Sequence, residues 1–258
     1  MPPMEHRTQS DGVSASPATG PTGQTDGFAS TAWSIVLAAA QDSDGGAALD
    51  RLCRRYWKPV YTFARSSGLA RADAEDATQD FFSYLFAREW LKEADPQRGS
   101  FRAFLLTLMR NFLSNRRRHD RAQKRGGTAP ALSFDADGCE RELAALPTIE
   151  ADPASAYEKA WAACVLQSAL DRLTVEQAQT GEPARFELLR PYLTQPPAPG
   201  DYERLGATLG LARNRIAVLI HRHSRRFAEL IRSEVAETLS DRTNLDAELR
   251  QLLDVMSR

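Results

Sequence analysis

Apolar residues recur at three-and-four spacing in nearly every patterned stretch of this 258-residue chain, and clear runs of alternating β-branched residues are missing from its sequence. A stripe of that period lines one face of a helix, whereas a strand needs a period of two. The expected fold class is therefore all-α. Ala47–Arg65 carries Leu49, Leu52, Cys53, Tyr56, Trp57, Val60, Tyr61 and Ala64 at helical spacing, with Gly68 as its stop. Pro59 lies inside that pattern, so a kink or break is expected there. Asp73–Trp90 predicts a further helix, apolar at Ala77, Phe81, Tyr84, Leu85 and Trp90. Asp73, Glu75 and Asp76 fill its first turn, where acids suit the positive end of the helix dipole. Ser100 is placed to N-cap a helix that buries Phe101, Phe104, Leu105, Leu108 and Phe112.

Punctuation divides the chain into two helical blocks. Residues 1–28 are rich in Pro, Ser, Thr, Gly and Gln and contain no apolar signal-peptide core, so a disordered tail is expected. The first block spans 29–125 and includes a short amphipathic helix at Thr31–Ala40, centred on Trp33, Ile35, Val36 and Leu37. Gly126-Gly127 stops it, and 126–152 reads as a linker. The second block, 153–239, holds helical patterns at Ala154–Leu173, Phe186–Tyr192, Asp201–Leu209 and Arg213–Leu239. A C-terminal extension, 240–258, contains one more amphipathic piece, Leu245–Met256. No window approaches ~18 consecutive apolar residues, so no membrane partner is expected. Cys53, Cys139 and Cys164 have no metal-ligand spacing, and free thiols fit a cytoplasmic location.

The net charge is −1, yet positive charge is concentrated in two places. Residues 98–125 contain eight Arg and one Lys against Asp120; residues 211–232 contain six Arg against Glu229. Two basic helices in a nearly neutral chain imply two contacts with a polyanion, DNA above all. In the first, Arg110, Ser114, Arg117, Arg118, Arg121, Lys124 and Arg125 form a polar stripe flanked by Asn111 and Asn115, opposite a Phe/Leu face. The second lies in DYERLGATLGLARNRIAVLIHRHSRRF (Asp201–Phe227), which has the grammar of a helix-turn-helix with its stop at Gly210. Its small core is expected from Leu205, Leu209, Leu211, Ile216, Ile220 and Phe227. Arg213, Asn214 and Arg215 then open the helix that enters the major groove, where Arg pairs with guanine and Asn with adenine. His221, Arg222, Arg225 and Arg226 follow, in positions suited to phosphate. His221 and His223 are two apart and point to different faces, which argues against a metal site.

These residues resemble a bacterial RNA polymerase sigma factor of the extracytoplasmic-function type, in the sigma-70 family. DAEDATQDFFSYLF (Asp73–Phe86) resembles the polymerase-binding helix of sigma domain 2. FRAFLLTLMRNFLSNRRR (Phe101–Arg118) resembles the promoter-melting helix of the same domain, and YERLGATLGLARNRIAVLIHRHSRRF (Tyr202–Phe227) the helix-turn-helix of sigma domain 4. The RRYWKPVY run and Ala-Gln-Lys-Arg-Gly-Gly (122–127) look like a subgroup frequent in planctomycetes. The resemblance implies two small helical domains joined by a flexible linker, with core RNA polymerase (β′ clamp region and β flap) and promoter DNA as partners, and it admits an anti-sigma factor. It implies that Asp76, Gln79 and Asp80 bind the β′ clamp. The loop at 92–99 would capture a flipped −10 base. Arg110, Asn111, Arg117, Arg118 and Arg121 would hold −10 or adjacent DNA. Arg213, Asn214, Arg215, His221, Arg222 and Arg225 would serve the −35 element. Departures from the family's habit are Phe104, Asn115, Ala212 and the apolar middle Ala217-Val218-Leu219.

An enzyme is not expected. The sequence has no Gly-rich phosphate loop, His-Glu-x-x-His or Gly-x-Ser-x-Gly motif, and no catalytic residue, cofactor or metal ligand is assigned. The alternative is a stand-alone helix-turn-helix regulator, which would account only for Tyr202–Phe227.

Overall fold

The computed structural model describes residues 46–86, 100–122, 152–239 and 242–257. Among them are eight α-helices and no strand: α1 (Gly46–Ser66), α2 (Arg71–Phe86), α3 (Phe101–Ala122), α4 (Pro153–Gln179), α5 (Pro183–Leu189), α6 (Asp201–Leu209), α7 (Arg213–Ala236) and α8 (Leu245–Ser257). Single 3₁₀ turns at Arg190–Leu193 and Arg242–Asn244 join α5 to the loop before α6 and lead into α8. The readings at 1–28, Thr31–Ala40, 92–99 and most of 126–152 lie outside the described residues.

The helix ends follow from their sequences. Gly68 adopts φ +91° after α1, and the amide of Gly68 donates to the Arg65 carbonyl at 2.9 Å. The Ser100 hydroxyl accepts from the Ala103 amide at 3.4 Å, capping α3. Asp152 caps α4, accepting from the amides of Ala154 and Ser155 at 3.2 and 3.1 Å, and Pro153 fills the first helical position. Of the kink or break expected at Pro59, the break does not occur: α1 is continuous through it. Pro59 is buried, as are its helix neighbours Tyr56, Trp57, Val60 and Tyr61, and burial of this stretch offsets the one hydrogen bond that its missing N–H costs the helix.

Three cores are strung along α4 and α7. The largest gathers α1, α2 and α3 through Tyr56, Tyr61, Phe81, Phe82, Phe101 and Leu105. Edge-to-face contacts tie Tyr56 to Phe101 (5.3 Å) and Phe81 to Phe112 (5.6 Å), while Trp57 stacks on Phe82 (5.9 Å). The same core takes in Tyr157, Trp161 and Val165 of α4, Val235 and Ala236 of α7, and Leu245 and Leu252 of α8. The first half of α4 therefore packs on the first sequence block. A second cluster joins Ala169 and Leu173 to Phe186, Phe227 and Leu230. The third, at the tip, comprises Leu189, Leu205, Ile216, Leu219 and Ile220. Early α4 meets late α7 and late α4 meets mid α7, so the two helices run antiparallel. From Ile216 to Val235 the rise along α7 is about 28 Å, which sets the tip well away from the first core.

Two ionic clusters pin the shared core. Arg102 is 2 % exposed. Its guanidinium meets the carboxylates of Glu158 on α4 and Glu248 on α8, the latter at 2.7 Å, and lies 4.3 Å from the Trp161 ring centroid. The Tyr157 hydroxyl donates to the Arg102 carbonyl at 3.1 Å. On the other side, buried Glu234 of α7 accepts from Arg55 of α1 and from Arg172 of α4 at 2.7 Å, with Glu237 alongside at 3.1 Å from Arg55. A charge this far from water is tolerated because each has opposite charge within hydrogen-bond reach.

Candidate nucleic-acid and polymerase interface

The periodicity of α2 turns Ala74, Ala77, Thr78, Phe81, Phe82 and Leu85 inward, and this leaves Asp73, Asp76, Asp80 and Ser83 outside. Asp76 and Asp80 share that acidic face, with Gln79 half-buried beside them. Asp80 pairs with Arg116 of α3 at 2.6 Å, a partner the sequence reading did not single out. Tyr84, 46 % exposed, lies 5.8 Å from the Phe112 ring and extends the face with an aromatic.

On α3 the fully buried apolar positions are Phe101, Leu105, Met109 and Leu113, beside buried Arg102, while Phe104, Leu108 and Phe112 are half-buried. The inner face is thus turned toward Met109 and Leu113 relative to the expected Phe/Leu set. Arg110, Asn111, Ser114, Asn115, Arg117 and Arg118 are all exposed. Arg117 donates to the Ser67 carbonyl just beyond α1, so it also closes the end of that helix. Arg110, Ser114, Arg117 and Arg118 line an open groove of about 380 Å³ with Ser67 and the start of α4. Asp152 sits in that groove; its hydrogen bond from Ser155, then that from the Ala154 amide, hold its carboxyl below the usual range, with Arg110 adding to the effect. The side chain of Arg121 lies outside the described residues, as do Lys124 and Arg125.

α6 and α7, where the sequence predicts a helix-turn-helix, are joined by a tight turn. Gly210 takes φ +65°, and the Leu211 amide reaches back to the Gly206 carbonyl at 3.2 Å. Gly206 was not singled out in the sequence. A Cβ there would come 3.0 Å from the Leu211 carbonyl oxygen and 3.7 Å from Ile216 Cδ1, so a side chain at this position would press on the turn. Its signal was a second glycine one turn ahead of the stop. Leu205, Ile216 and Ile220 form the tip core as expected, with Leu209 and Leu211 packed against it. Phe227 does not join them: it lies three turns on from Ile216 and belongs to the middle cluster, and Leu189 and Leu219 complete the tip.

Arg213, Asn214 and Arg215 are exposed at the start of α7, which begins at extended Ala212 without a side-chain cap. Arg213 is steadied by Glu203 at 3.3 Å and by the Tyr202 ring at 5.2 Å, both from α6. His221 and Arg222 are exposed further along. Arg225 pairs with Glu229 at 3.2 Å, and Arg226 binds both Glu229 and Glu176, the latter through two hydrogen bonds of 2.7 and 2.9 Å. Those arginines lower the carboxyls of Glu176 and Glu229 below their ordinary values. His223 faces inward, edge-on to Phe186 at 5.4 Å; burial, then Arg222 and Arg185, push its imidazole pKa down. His221 and His223 therefore occupy opposite environments. Cys53 is buried in the first core, where desolvation raises its thiol to about 12, with Asp50 adding to it; Cys164 is half-buried. No helix among the described residues is long and apolar enough to cross a membrane.

Comparison with known proteins bears on the first of these faces. Residues 52–123 match the family model of sigma-70 region 2. The match runs from the first core residue of α1 to the position after α3, so it covers both the acidic face and the arginine face of the helical triple. The chain thus carries a region 2 domain, which supports a sigma-70 family sigma factor acting in promoter recognition with RNA polymerase. No curated protein and no solved structure matches the chain.

Proposed function

We propose that this chain is a sigma factor of the extracytoplasmic-function type, which binds core RNA polymerase, recognises −10 and −35 elements and opens promoter DNA. The observation that carries the reading is the presence in one chain of a region 2 domain and a cationic helix-turn-helix, at opposite ends of the α4/α7 pair. A stand-alone regulator needs only the second.

In this reading the acids Asp76 and Asp80, with Gln79, meet basic groups of the β′ clamp, and the helix-turn-helix domain docks on the β flap. Arg110, Arg118 and Asn111 hold the −10 strand or the adjacent duplex, with Arg117 divided between DNA and the end of α1. Arg121 continues that stripe. Opening is binding work: a base extruded from the stack costs a few kcal/mol, which contacts in the protein offset. Upstream, Arg213, Asn214 and Arg215 face base edges, while His221, Arg222 and Arg225 approach phosphates. The RRYWKPVY run supports the planctomycete-like subgroup, and the protein acts in the cytoplasm, with an anti-sigma factor as a further partner. Transcription in vitro from a promoter library, by purified core polymerase with and without the chain, tests the proposal. Chain-dependent initiation at a defined −10/−35 pair is expected; binding of duplex DNA without polymerase recruitment would favour the stand-alone regulator.

A further inference from the structure

The recognition helix carries an apolar residue where it projects farthest from the protein. Of the apolar middle Ala217-Val218-Leu219, Leu219 is buried and Ala217 half-buried, but Val218 is 63 % exposed. An isolated exposed valine needs no explanation by itself. Its position is what matters here. At about 100° per residue, Val218 lies roughly 160° round the helix from Ile216, the centre of the buried face. Asn214, one turn earlier, stands on the same outer ridge, and both are flanked by exposed Arg215, His221 and Arg222. A helix seated in a major groove brings this ridge closest to the base edges. Valine is also a poor helix former, so packing-free positions gain nothing from it locally.

We infer that Val218 is a specificity-determining residue that reads a thymine through its C5-methyl group, about one to two base pairs from an adenine read by Asn214. This rests on the proposed reading of α7 as the −35 helix. Valine has no hydrogen-bonding group, so it discriminates by burying a methyl and by leaving the polar edges of other bases without a partner. His221 and Arg222 supply affinity without sequence, and the ridge of Asn214 and Val218, with Arg215 beside it, supplies selectivity.

The test uses full-length chain with core polymerase. An upstream element is first selected from duplexes randomised in that region; each thymine in it is then replaced by deoxyuridine, which removes only the methyl. One position is expected to weaken wild-type binding by about fourfold, as loss of a buried methyl implies. Val218→Ala should lose a similar factor on the thymine duplex and show no further loss on the deoxyuridine duplex. Its unfolding midpoint should equal that of the wild type, because the side chain is exposed. An element with no methyl-sensitive thymine, or one whose sensitivity persists in Val218→Ala, overturns the assignment while leaving the sigma reading intact. Failure to enrich any upstream element overturns both.

Discussion

α3 and α7 carry the two arginine clusters of this chain, and the fold puts them to different use. On α3 the arginines divide by depth. Arg102 is a structural charge sealed between α4 and α8, Arg116 and Arg117 hold α2 and the end of α1, and Arg110 and Arg118 face the groove. On α7 they divide along the axis. Arg215 and Arg222 are exposed toward the tip, Arg213 and Arg225 are exposed but each pairs with one carboxylate, Glu203 and Glu229, and Arg226 is held between Glu229 and Glu176. A count of arginines thus overstates the cationic surface in both helices. Nearby carboxylates, not composition, decide which charges remain for DNA.

Removing charge at the core should give the largest effect. Arg102→Ala leaves half-buried Glu158 and Glu248 without their shared cation and should cost about 3–5 kcal/mol, read by urea denaturation. Arg118→Ala, on the same helix but exposed, should stay within about 0.5 kcal/mol. Equal stabilities would erase the distinction of depth within α3. Next in size, Arg215→Ala should weaken binding of the selected upstream duplex by about 1–3 kcal/mol and relax its specificity, measured by fluorescence anisotropy. Arg226→Ala should change that specificity little, since Glu176 and Glu229 already occupy its guanidinium; comparable losses would remove the gradient along α7.

Acid separates the two faces of α7. Folding depresses the His223 pKa below its ordinary 6.5. The unfolded chain therefore binds the proton more tightly, and the contribution is full above pH 6.5 and lost as pH falls from there toward the folded value. The slope cannot exceed about 1.4 kcal/mol per pH unit. His223→Phe should flatten it in denaturation series, while His221→Phe, on the exposed face, should leave it in place. The smallest expected effect is at α2: Asp76→Ala should weaken core-polymerase binding about fivefold, with an unchanged unfolding midpoint. Unaltered affinity in a pull-down would detach the acidic face from that role.

Helix positions were legible because their signals are local. Asp201–Leu209 was read residue for residue, Ser100 caps α3, and Gly210 ends α6 at positive φ. At Pro59 the local penalty predicts a kink or break, yet α1 is unbroken there because burial, which is not local, offsets it. The inner face of α3 shifted toward Met109 and Leu113 because packing in the first core, not spacing along α3, determines which side is covered.

The sequence by itself determined an all-α chain, two basic helices, a tight turn at Gly210 and the order of the blocks, all properties of spacing and backbone preference. Tertiary structure alone decided that the first half of α4 and the C-terminal α8 complete the core of α1–α3. It also decided which arginines are consumed by carboxylates and that Val218 stands on the outermost ridge. Those outcomes depend on pairs such as Arg102–Glu248 and Arg226–Glu176, 146 and 50 residues apart, and no local preference encodes a distance of that kind.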